Sequence, residues 1–77
     1  MTKLPPTAPL KCVKALQHDG FETRRQESSH LILVRQTPYA MVVVPIHRKE
    51  LDRGTLTSIR KQAGKTPDEF RQLLKSA

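Results

Sequence analysis

Residues 30–45, HLILVRQTPYAMVVVP, decide the fold. Two runs, His30–Gln36 and Ala40–Pro45, are rich in β-branched residues and short enough to be strands. Gln36-Thr37-Pro38-Tyr39 between them fits a hairpin loop. Pro45 closes the second run because it has no N–H to donate into a ladder. In LILV and MVVV both alternating faces are apolar, so neither face of these strands suits water. Upstream, Gln26–Ser29 is polar and suits a turn, and Phe21–Arg25 reads as a further short strand. The centre of the chain is thus a three-stranded antiparallel meander.

Helical patterns flank it. Leu10, Val13 and Leu16 recur at helical spacing, with Cys12 and Ala15 beside them, and Asp19-Gly20 stops the run. After a basic, irregular segment over Ile46–Gly54, Thr55 reads as the N-cap of a second helix. Its stripe is Leu56, Ile59 and Ala63, and Gly64 ends it. Thr66-Pro67-Asp68-Glu69 then supplies a cap, a proline at the first helical position and a glutamate three residues after the cap. It opens a short third helix anchored by Phe70, Leu73 and Leu74. The order α-β-β-β-α plus an extra C-terminal helix is an α+β arrangement, with helices on one face of an antiparallel sheet. Residues 1–8 read as a flexible arm and residues 9–77 as one domain. The second apolar face of the sheet is left as a binding surface, for another copy or another protein, unless the tail helix or the 46–54 loop wraps over it.

Composition narrows the class. A chain of 77 residues with 36% hydrophobic and 27% charged residues has room for one thin core. No stretch of about 18 apolar residues spans a membrane. The lone Cys12 has no partner for an internal disulfide, which points to a reducing cytoplasm. Fourteen Lys and Arg against seven Asp and Glu give a net charge of +7. Such a field favours polyanions, nucleic acid first, then an acidic protein or a membrane surface.

The candidate chemistry is sparse. There is no phosphate-binding glycine loop, no evident carboxylate pair, and no metal-ligand spacing among Cys12, His18, His30 and His47. No metal or cofactor is expected. His18 suits the end of the first helix, where a cation meets the dipole. His47 lies in the basic loop, contacting phosphate or simply exposed. His30 begins a strand directly after Glu27-Ser28-Ser29, with Arg24 and Arg25 just before. An imidazole there is placed for proton transfer near a phosphodiester, or else it is satisfied by a backbone hydrogen bond.

Four pieces then make a pattern: Leu10–Leu16 followed by Gly20-Phe21; Arg25–His30; Val43-Val44-Pro45-Ile46-His47; and Gly54–Gly64 (GTLTSIRKQAG). Their order and spacing, over about residues 10–74, resemble the HicA (YcfA-like) toxins of HicA–HicB toxin–antitoxin systems. The resemblance implies a fold like that of double-stranded-RNA-binding domains. It implies a metal-independent endoribonuclease, an mRNA interferase, inhibited by a HicB-like antitoxin that covers its active site. The family's catalytic histidine sits in a Gly-Ser-His step and maps onto His30. Ser28 stands at the glycine position, which alters the turn, because serine reaches positive φ less readily than glycine.

On this reading His30 is the general acid or base, Arg25, Arg48 and Lys49 hold the phosphate, and no second histidine is assigned, His47 being a candidate only. Lys11, Lys14, Arg60 and Lys61 join them in docking RNA. Tyr39 is left to stack bases, since Phe21 and Phe70 belong to the core. An acidic antitoxin would offset the +7 and cover the second apolar face. Self-association through the sheet, as a homodimer, would bury the same face. The alternative is a non-catalytic RNA-binding module of the same fold. A small DNA-binding or adaptor protein fits less well, because three strands between helices do not make a helix-turn-helix.

Overall fold

The computed structural model describes residues 6–47 and 49–77. The elements run α1 (Pro9–His18), β1 (Glu22–Glu27), β2 (His30–Gln36), β3 (Tyr39–Pro45), α2 (Arg53–Ala63) and α3 (Pro67–Ser76). The strands form one antiparallel sheet in the order β1-β2-β3. This is the α+β, double-stranded-RNA-binding-domain-like arrangement expected from the sequence.

β2 is the central strand, and the pleat sorts its side chains onto two faces. Leu33 on β2, with Val42 and Val44 on β3, joins the core formed by Cys12, Leu16, Phe21, Leu51, Leu56, Ile59, Ala63 and Phe70. α1 and α2 therefore pack on this face, and α3 packs against those two helices. Burying the aromatic and aliphatic side chains of such a core stabilises a small domain by about 1.5–3 kcal/mol for each. Ile32 and Val34 point the other way; both are buried but lie outside the core cluster. Cross-strand register places Arg25 and Val43 beside Ile32, Glu22 and Met41 beside Val34, and Tyr39 beside Gln36. Met41 and Tyr39 are 51% and 68% exposed on this helix-free face.

Local details depart from the sequence reading at four places. Leu10 is 70% exposed, and Pro9, Cys12, Val13, Ala15 and Leu16 form the buried stripe of α1. The helix starts at Pro9, so the i, i+3, i+4, i+7 face is counted from 9 and Leu10 falls beside it. The first strand runs to Glu27, not Arg25, because Glu27 pairs with His30 and shortens the turn to Ser28-Ser29. A register shift between Thr23 and Arg25 takes up the extra residue. The N-cap of α2 is Asp52 rather than Thr55: the Asp52 carboxylate accepts from Thr55 N–H at 2.8 Å, making Thr55 the third residue of the first turn. Residues 1–5 of the expected arm lie outside the described residues. Thr7 within it is buried and exchanges backbone hydrogen bonds with Leu51, Leu51 N–H donating at 2.7 Å.

Other signals appear as read. Gly64 caps α2 in the left-handed region at φ 72°, and Thr66 and Glu69 close a reciprocal capping box on α3. Asp19, at the end of α1, ties three elements together. Its carboxylate pairs with Arg35 of β2 and with Lys65 after α2, the latter at 2.9 Å. Arg35 also donates to Pro38 O at 2.9 Å and lies 4.7 Å above the Phe21 ring.

Candidate active site

The β1–β2 turn builds the site. Its first residue, Ser28, has φ 57°, so the serine adopts the left-handed backbone that glycine would adopt more easily. Gln26 Nε2 donates to Ser28 O at 3.1 Å and holds the turn closed. The pairing then puts Glu27, His30 and Pro45 in one row across the sheet. His30 is exposed and shares the helix-free face with Ile32 and Val34.

The chain leaving β3 completes the cluster. Pro45 has no N–H, but Ile46 N–H donates to Ser29 O at 2.8 Å, which extends the pairing by one residue past the strand. His47 follows, exposed, and its ring centroid lies 6.1 Å from that of His30 with the planes at 59°. Arg25 is one row along the same face, and its Nε lies 3.4 Å from the Glu27 carboxylate. Both partners are about 60% exposed, so water screens this pair and it contributes about 1 kcal/mol or less. Arg25 keeps guanidinium donors to spare, since only Nε faces the carboxylate. The cluster thus offers two imidazoles, a guanidinium and a carboxylate at the end of the helix-free sheet face, on which Tyr39 and Met41 are exposed. Imidazoles exchange protons at neutral pH, and a guanidinium holds phosphate oxygens.

The remaining cations are spread out. Lys49 is exposed in the loop after His47, while Arg48 lies outside the described residues. Lys11 and Lys14 are exposed on α1 and Lys61 on α2, in the helical layer behind the sheet. Arg60 donates to Lys65 O at 2.7 Å, closing the end of α2. Lys11 instead borders a groove between α1 and α3 with Arg71, Leu74 and Lys75. His18 sits in the last turn of α1. Among the described residues, no group of three His, Cys, Asp or Glu side chains is arranged to hold a metal. Cys12 is buried in the core, and desolvation pushes its thiol up to about 12, far from a reactive thiolate.

The sequence singled out His30 and Arg25 for this site. It left His47 as a candidate only, for phosphate contact or as a second catalytic histidine, and did not bring Glu27 in. The signal that joins them is register: once Glu27 and Pro45 flank His30, His47 must emerge beside it. A family model described as HicA toxin of bacterial toxin–antitoxin matches residues 11–65. The chain belongs to the HicA toxin family. The match runs from α1 through α2 and includes the Ser29-His30 step and the whole sheet. Membership of this family of toxin–antitoxin toxins brings an antitoxin as partner. No curated protein matches the chain. Among the described residues, no helix of this HicA-family chain is long and apolar enough to cross a membrane.

Proposed function

We propose that this toxin is a metal-independent endoribonuclease that cleaves messenger RNA in the cytoplasm, with His30 as general acid or base. The observation that carries the reading is the exposed His30 on the helix-free face, beside Arg25 and His47. RNA brings its own nucleophile, the 2′-OH. A protein that removes its proton, protonates the departing 5′-oxygen and balances charge on the phosphorane needs no metal. His30 supplies proton transfer, an effect of about 10²–10⁴-fold. Arg25 and Lys49 counter the phosphate charge, with Arg48 adjoining them in sequence. Lys11, Lys14, Arg60 and Lys61 add long-range attraction from the helical layer rather than contacts at the cut.

The helix-free face also suits the antitoxin. Tyr39 and Met41, both exposed, and the half-buried Val43 form an apolar strip along β3 that leads towards His30. A HicB-like partner with acidic groups, seated on that strip, would cover His30 and offset the +7. Inhibition is then occlusion of the site.

The decisive substrate is an RNA oligonucleotide incubated with the purified protein in excess chelator, beside the same oligonucleotide with one 2′-deoxy residue at the cut site. The expected result is cleavage of the first and none at the substituted position of the second. Binding of both without cleavage of either would instead establish the non-catalytic RNA-binding module.

A further inference from the structure

We infer that His47 is the second acid–base residue of the site, acting with His30 on the two sides of one phosphodiester; this rests on the ribonuclease reading above. His30 and His47 come from different strands' ends, yet two fixed features bring them together. The first is the His30–Pro45 pairing, and the second is the Ile46 N–H bond to Ser29 O at 2.8 Å. The resulting centroid distance is 6.1 Å, and both side chains are exposed. Among the described residues, neither ring hydrogen-bonds to a protein group, so their nitrogens are available to a substrate. Each ring reaches about 2.6–3.2 Å to an oxygen, so two rings at this spacing bracket one phosphate. As a packing contact the pair contributes little, because both rings stay in water.

The chemistry has two proton transfers to divide. One neutral imidazole takes the proton from the 2′-OH as the 2′-oxygen forms its bond to phosphorus. The other imidazole, protonated, gives its proton to the 5′-oxygen as the P–O5′ bond breaks. The products are a 2′,3′-cyclic phosphate and a free 5′-OH. Each histidine ends in the protonation state the other began with. Proton exchange with solvent water resets both. Arg25 balances charge on the phosphorane and exchanges no proton.

The test compares the unaltered protein, His30→Gln and His47→Gln in chelator. The substrates are the RNA oligonucleotide and its analogue with sulfur in place of the bridging 5′-oxygen at the mapped cut site. Sulfur leaves without a proton donor, so it rescues only the loss of the acid. On the oxygen substrate both variants should fall by about 10²–10⁴-fold with unchanged unfolding midpoints. On the sulfur substrate one variant should recover and the other should stay slow, with cyclic phosphate ends throughout. Full activity of His47→Gln beside an inactive His30→Gln would overturn the role of His47 and leave the ribonuclease reading standing. Two slow variants with neither or both rescued would also overturn it. Failure of the unaltered protein to cut either substrate would remove the ribonuclease reading itself.

Discussion

Ser28 is the residue on which the site's geometry turns. At φ 57° it holds a backbone that costs a residue with a Cβ about 1–2 kcal/mol, and glycine far less. Ser28→Gly should therefore raise stability by roughly 0.5–1 kcal/mol in urea unfolding and keep cleavage intact, while a β-branched Ser28→Val should lower both. The substitution of serine for the family glycine was visible in the sequence. That Ser28 adopts the left-handed region was not, because φ depends on the two paired strands closing around it. Cys12 makes a second case. Burial raises its thiol from 9.0 to about 12, so the folded protein favours the protonated form. Its contribution to stability is complete below pH 9.0 and is lost as pH rises towards 12. At pH 8 a thiol reagent should label Cys12 only after denaturation; fast labelling of the native protein would contradict the burial.

At the scale of elements, strength follows burial rather than the number of charges. The Asp19 carboxylate, with Arg35 and Lys65, is largely shielded from water, with side-chain exposures of 12–21%. Removing it leaves two cations facing each other without an anion, so Asp19→Ala should cost about 3 kcal/mol. The exposed Arg25–Glu27 pair should show a coupling below about 1 kcal/mol in a double-mutant cycle. Thr66→Ala breaks one half of the α3 capping box and should cost about 1 kcal/mol. Element types were readable because β-branched runs, Gly64 and the Thr66–Glu69 box are local signals. Boundaries were less so. Asp52 won the α2 cap from Thr55 because the chain entering from the Leu51–Thr7 bridge already points its carboxylate at the first turn. β1, exposed at every position, carries almost no hydrophobic pattern and is fixed by pairing with β2 instead.

For the whole molecule, the organising fact is a sheet with two unlike faces. One is packed under α1 and α2, with α3 against those helices; the other carries Tyr39, Met41 and His30 in the open. The runs LILV and MVVV announced two apolar faces, and short helices announced that only one is covered. Which histidine lies on the open face follows from register, a long-range property that local sequence does not carry. Charge acts at this scale too. With a net charge of +7, RNA binding should weaken steeply with salt, log affinity falling by about 0.7 per phosphate contact for each tenfold rise in salt. A flat salt dependence would contradict docking by these cations. The most direct measurement for the whole account is the single-turnover rate of RNA cleavage in excess chelator by the unaltered protein and by His30→Gln. The expected result is a loss of about 10²–10⁴-fold with an unchanged unfolding curve. A His30→Gln protein that cuts RNA as fast as the unaltered one would contradict it.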